Sequence, residues 1–115
     1  MISTERQSSL YVEAEADIAE RFSADLPVRI LVVDDVEANL ELFRLFLSRE
    51  KAEIFLASGG EDALAQYDSQ KPDCLFLDLR MPGMDGIEVA MEIRRREVRE
   101  GKRAFIAGMS GGEFP

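Results

Sequence analysis

The sequence predicts an α/β domain built on a doubly wound parallel sheet. Two observations predict it. Four short runs, "RILVVDD" (29–35), "EIFLA" (53–57), "CLFLD" (74–78) and "AFIAGMS" (104–110), are apolar throughout and do not alternate in and out. Strands of that kind are buried on two faces, as in parallel sheets covered by helices on each side. Between the runs lie segments of helical composition and length, and strands alternating with helices of that size read as repeated βα units. A third feature, acids at the ends of two of the runs, bears on what the sheet is for.

The elements follow in order. Residues 1–26 read as an N-terminal extension, loose to about residue 9 and then an amphipathic acidic helix in which Tyr11, Ala14, Ile18 and Phe22 recur at helical spacing. Pro27 ends it and opens the domain, 27–115. After the first strand, "EANLELFRLFLSRE" (37–50) carries a wide apolar face with Leu40, Phe43 and Leu47. Ser58 and Glu61 have the spacing of a capping box for a second helix, "EDALAQYDS". Lys71-Pro72 breaks the chain before the third strand. Pro82-Gly83 makes a turn, and Asp85 is placed to cap a helix through "GIEVAMEIRRREVRE", with Ile87, Ala90 and Ile93 expected inside. Phe43, Phe46, Phe55, Phe76 and Phe105 are expected in the core.

Composition excludes several functions. The 115 residues are 46% apolar and 32% charged, with a net charge of −9. That balance fits a globular domain and gives no cationic surplus for nucleic acid. No run approaches membrane-spanning length and the first residues lack a signal-peptide pattern, so a cytoplasmic location is expected. There is no histidine, which excludes His-based acid–base catalysis, Ser/His triads and the usual zinc sites. The single cysteine, Cys74, sits in an apolar run and reads as a buried hydrophobe. Arg94, Arg95, Arg96, Arg99, Lys102 and Arg103 crowd the end of the third helix, where cations suit the helix dipole.

Chemistry concentrates at the strand ends. Ligands of doubly wound sheets bind beyond the carboxyl ends of strands, where the winding reverses. Asp34 and Asp35 follow the first strand and Asp78 ends the third. With strand order 2-1-3-4 the three carboxylates converge, and their mutual repulsion means that either some protonate or a cation joins them. Hard oxygen ligands with room for water suit Mg²⁺. A carboxylate beside such a metal can attack phosphorus to give an aspartyl phosphate. Ser110, ending the fourth strand, can donate to a phosphoryl oxygen.

The stretches "ILVVDDVEAN", "LFLDLRMPGMDG" and "FIAGMSG" resemble the receiver domain of two-component response regulators, over about residues 28–112. The resemblance implies a flavodoxin-like fold. It implies Asp78 as phosphoacceptor; Asp34, Asp35, Asp78 and the main-chain carbonyl of Arg80 as Mg²⁺ ligands; Ser110 as switch hydroxyl; and Gly111 as the small residue beside the phosphoryl group. The implied donor is a histidine kinase or phosphotransfer protein. The family also carries a fifth strand, two last helices and a lysine after strand five. Lys102 precedes strand four, Lys51 and Lys71 fall in other connections, and the residues after strand four are too few for the remainder, so a sheet truncated after strand four is expected. Its open edge, or the N-terminal helix, offers a homodimer contact. That helix could instead cover the surface a last helix would occupy, or the chain could be a piece of a longer protein that carries the remaining elements. Two other functions stay open: a phosphorylation-silent interaction scaffold, and a Mg²⁺-dependent phosphatase with an aspartyl intermediate. The phosphatase pattern wants Asp-x-Asp, whereas "DDVEAN" has adjacent acids.

Overall fold

The computed structural model describes residues 26–48 and 52–109. Four strands, β1 (Val28–Val33), β2 (Ala52–Ala57), β3 (Cys74–Asp78) and β4 (Phe105–Met109), alternate with three helices, α1 (Glu37–Leu47), α2 (Gly60–Gln70) and α3 (Gly86–Glu100). The sheet has order β2-β1-β3-β4 and every pairing is parallel. This is the predicted α/β class and strand order. The N-terminal helix expected before residue 26, and with it the boundary of the extension, lie outside the described residues.

Alternation along the strands sorts side chains into two cores. Val28, Ile30, Val32 and Cys74 face α1 and pack with Leu40, flanked by half-buried Phe43, Phe76 and Phe105. Leu31, Val33, Leu75 and Leu77 face the other way and pack with Ala63, Leu64 and Tyr67 of α2 and Val89 and Ile93 of α3. The central strands β1 and β3 are therefore largely buried, which fits sequences that are apolar at every position but Arg29 and the Asp78 that ends β3. Arg29 lies at the opposite end of the sheet from Asp78. Its guanidinium donates to the Gln70 carbonyl at 2.7 and 3.0 Å, pairs with Glu53 at 2.6 Å and lies 5.0 Å over the Phe55 ring. Satisfied on all sides, the cation fits at the base of the sheet.

The base is further tied by buried acids. Asp73 accepts from the Arg29 amide at 2.8 Å and from Lys102 Nζ at 3.3 Å. Glu97, also buried, accepts from the Ala104 amide at 2.6 Å and pairs with Arg94 at 2.7 Å. The cations expected merely to crowd the end of α3 are thus largely committed, Arg95 and Arg96 to Glu92 and Arg96 also to Asp68.

Several local expectations are corrected. Asp85 does cap α3, in a reciprocal box with Glu88 at 2.9 and 3.0 Å. Ser58 does not cap α2: the N-cap is Gly59, with no side-chain hydrogen bond. The inner face of α3 is Val89, Ile93 and Glu97, while Ile87 is exposed and Ala90 half-buried. Phe46, expected in the core, is 74% exposed.

Candidate functional site at the carboxyl ends of β1 and β3

β1 and β3 are neighbours, and the chain leaves them toward different helices, β1 toward α1 and β3 toward α3. The crevice between those departures is where the sequence placed its acids. Asp34 and Asp35 follow Val33, and Asp78 is the last residue of β3. Each of the three offers a carboxylate oxygen within 4.8 Å of the others. The predicted convergence is therefore met.

Each carboxylate is positioned by backbone. The Asp34 amide donates to the Ala57 carbonyl of the neighbouring strand at 3.0 Å, which extends the sheet one residue beyond β1. The Asp34 side chain turns back and accepts from the Val36 amide at 2.8 Å and from Asn39 Nδ2 at 3.1 Å. It is buried, whereas Asp35 is exposed. Asp78 is 8% exposed and accepts from the Arg80 amide at 2.9 Å. The Leu79 amide donates to the Met109 carbonyl at 2.8 Å, so β4 holds the exit of β3.

The turn after Asp78 depends on two glycines. Gly83 has φ of +76°, the left-handed region that a side chain disfavours. Gly86 starts α3 against the main chain of Asp78. A Cβ there would collide with the Asp78 carbonyl oxygen and stand 2.9 Å from Leu79 Cα. Only a bare Cα lets the helix start lie on the strand end. The loop therefore folds beside the carboxylate without covering it.

Electrostatics follow from this crowding. Burial raises the Asp78 pKa above the ordinary carboxylate value, and the charges of Asp34 and Asp35 raise it further, against the Arg80 amide, which lowers it. Among the described residues no lysine or arginine pairs with any of the three acids. Lys71 and Lys102 are bound to Glu100 and Asp73 at the opposite end of the sheet. Three hard oxygen donors without an internal counter-charge are the donor set that a small divalent cation suits.

Of the other predicted residues, Arg80 is exposed and its main chain lies beside Asp78. Ser110 and Gly111 lie outside the described residues; Met109, the last before them, pairs with Asp78 across the sheet. Asn39 was not anticipated. Its signal was there in "DDVEAN": an amide in the first turn of the helix that follows the acids.

Comparison with known proteins places this geometry. The family described as "Response regulator receiver domain" matches residues 30–111. The chain is 40% identical over 70 residues to the alkaline phosphatase synthesis transcriptional regulatory protein PhoP of Bacillus subtilis, covering 61% of this chain and 29% of that protein. It is 44% identical over 69 residues to the response regulator PleD of Caulobacter vibrioides, covering 60% and 15%. It thus spans less than a third of the length of these curated relatives. Among solved structures, the receiver domain of the histidine kinase CKI1 from Arabidopsis thaliana complexed with Mg²⁺ superposes with a TM-score of 0.66 at 30% identity, covering 76% of this chain and 70% of that one. The co-crystal structure of the Saccharomyces cerevisiae phosphotransfer protein Ypd1 with the receiver domain of Ssk1 gives a TM-score of 0.70 at 25% identity, covering 76% and 66%. No helix among the described residues is long and apolar enough to cross a membrane. With the sheet order, the converging acids and the family match in agreement, the chain belongs to the receiver domains of two-component response regulators, a family of signalling modules.

Proposed function

We propose that the chain is a phosphoacceptor, taking a phosphoryl group onto Asp78 from a histidine kinase or phosphotransfer protein in a cytoplasmic phosphorelay. The observation that carries this reading is the convergence of three carboxylates, with none of which a lysine or arginine of the described residues pairs. In the transfer, a carboxylate oxygen of Asp78 forms a bond to phosphorus as the bond from phosphorus to the donor nitrogen breaks, and the imidazole keeps the electron pair and takes a proton. Bound Mg²⁺ would neutralise charge on the phosphoryl oxygens. Asp34, Asp35, Asp78 and the Arg80 main-chain carbonyl would hold it.

The residues of the chain then have separate tasks. Asn39 and the Val36 amide fix the Asp34 carboxylate, so that its orientation does not depend on the ion. The Arg80 amide holds one oxygen of Asp78, which leaves the other for attack. Ser110 would donate its hydroxyl to a phosphoryl oxygen, and Gly111 would leave room for the group. Residues 1–26 form an extension to the receiver unit that begins at Pro27. The unit turns over no separate substrate; its chemistry is its own phosphorylation and dephosphorylation.

A second reading is a scaffold that keeps the receiver outline and signals by contact. It is favoured by the placement of Lys71 and Lys102 at the far end of the sheet, paired with other acids. One experiment separates the two. The protein is incubated with Mg²⁺ and acetyl phosphate and its intact mass is compared with that of Asp78→Asn. A single phosphoryl adduct, absent from the variant and absent without Mg²⁺, is expected. A folded protein that binds Mg²⁺ and gains no adduct would refute phosphoacceptance and leave the scaffold.

A further inference from the structure

Three apolar side chains anchor the loop between Asp78 and α3. Met81 is buried in the core that the sheet shares with α2 and α3, and Met84, half-buried, packs against the same cluster. Leu79 lies on Gly108 of β4, where a Cβ would stand 2.9 Å from Leu79 Cδ2. Among these anchors sits Arg80, whose amide holds Asp78 at 2.9 Å. The main chain beside the acids is therefore placed by the room its neighbours leave.

One of those neighbours belongs to an element that brings no acid to the site. Gly60, the first residue of α2, is buried against Met84. A Cβ on Gly60 would stand 2.7 Å from Met84 Cβ, 2.8 Å from its Cγ and 2.9 Å from its carbonyl oxygen. The Cβ and the carbonyl move only with the main chain, so a new rotamer of Met84 does not relieve the clash. Nothing in the local backbone asks for a glycine at that position. Among the described residues the glycines with positive φ are Gly83 and Gly101, and glycine is a poor helix former. The atoms nearest the missing Cβ all belong to Met84, so it is the loop that requires the glycine. Gly59, one residue earlier, has nothing within 4 Å of its own missing Cβ.

We infer that Gly60 is a positioning residue for the Asp78 site: the start of α2 seats Met84, and that seat sets where the Arg80 main chain stands beside Asp78. Met81, Pro82 and Gly83 alone separate Arg80 from Met84, and Pro82 holds a fixed φ. On the other side of Met84, Gly86 is pinned against the Asp78 main chain. A displaced Met84 is therefore passed back toward Arg80 rather than on into α3. The inference deepens the acceptor reading and rests on it, since that reading gives the Arg80 carbonyl to Mg²⁺. A small ion that demands near-ideal octahedral geometry is held more weakly when one of its ligands is shifted.

The test uses the full chain. Gly60→Ala is expected to raise the Mg²⁺ dissociation constant about fivefold or more and to slow adduct formation from acetyl phosphate about tenfold. A third readout needs no metal. Exchange of the Arg80 amide hydrogen, followed by NMR, is expected to quicken about tenfold as the shifted loop loses its bond to Asp78. The Leu79 amide, bonded to the Met109 carbonyl, should keep its protection, which a general loosening would not spare. Gly59→Ala, which also alters the start of α2, should leave all three readouts at parental values. Met84→Ala empties the seat from the loop side and should weaken Mg²⁺ binding and quicken Arg80 exchange, so the inference stays testable even where Gly60→Ala does not fold. Folded variants with parental Mg²⁺ affinity and parental Arg80 exchange would overturn it, as would equal losses in Gly59→Ala. A parent protein that binds no Mg²⁺ and takes no adduct would overturn the acceptor reading itself, and this inference with it.

Discussion

Replacing Asp78 by Asn should stabilise the folded protein in the absence of metal while abolishing the stabilisation that metal brings. Asp78 shares a space with two other carboxylates, all within 4.8 Å. A pair of like charges at that distance repels by about 1 kcal/mol in water and about 3 kcal/mol at an effective dielectric near 20. An amide of the same shape removes two such repulsions and the cost of burying a charge. It keeps an acceptor for the Arg80 amide, at a loss of about 1 kcal/mol for the weaker neutral hydrogen bond. The net expectation is a gain of about 1–3 kcal/mol, or a rise in Tm of about 5–15 °C for a domain of this size.

The pH dependence has a definite sign. The folded-state pKa of Asp78 lies above its ordinary value, so over the interval between the two the folded protein binds more protons than the unfolded chain. Stability of the parent protein therefore rises as pH falls through that raised pKa, and the advantage of the variant shrinks. Mg²⁺ at ten times its dissociation constant should add about 1.4 kcal/mol to the parent and far less to the variant. The assay is thermal unfolding at pH 7 and at pH 5, with and without Mg²⁺. A variant less stable than the parent at pH 7 without metal, or one stabilised by Mg²⁺ to the same degree, would refute the argument that these charges are in mutual repulsion and that Asp78 is a ligand.

Three further outcomes follow from the same geometry. Asn39→Leu should weaken Mg²⁺ binding by about tenfold or more, because Asp34 loses the donor that orients its second oxygen; calorimetric titration reads it. Gly86→Ala should cost about 1–3 kcal/mol or more in denaturant unfolding, since the methyl group meets the Asp78 carbonyl and the helix start must move away from the strand. Burial, assisted by the charge of Asp73, pushes the Cys74 thiol up to about 12, so the native protein at pH 8 should resist alkylation by iodoacetamide until denaturant is added.

Most of the site was legible before any fold was available, because its parts are marked by their local setting. An acid closing an apolar run is out of place unless something needs it, and "DD" after β1 and "D" after β3 are each of that kind. Asp85 was readable as a cap for the same reason, as an acid directly before a helix. Ser58 looked equally good and failed, because α2 starts at Gly60 and the N-cap falls on Gly59, one residue after the serine.

What only the tertiary structure decided is which side of a helix faces in and what lies over it. Hydropathy put Ile87 inside α3 and could not put Glu97 there. The entry to α3 is set by Gly86 lying on the Asp78 main chain and by the Asp85–Glu88 box, and that phase turns Val89, Ile93 and Glu97 to the sheet. A carboxylate is tolerated inside only because Arg94 and the Ala104 amide, seven residues on, meet it there. Phe46 belongs to an apolar helix face that the sequence reads as one surface, but β1 and β2 take up only part of it. Local sequence thus determined the alternation of elements and the acids at their ends, since each depends on near neighbours. The approach of three like charges and the burial of Glu97 depend on segments far apart in the chain, and only packing brings those together.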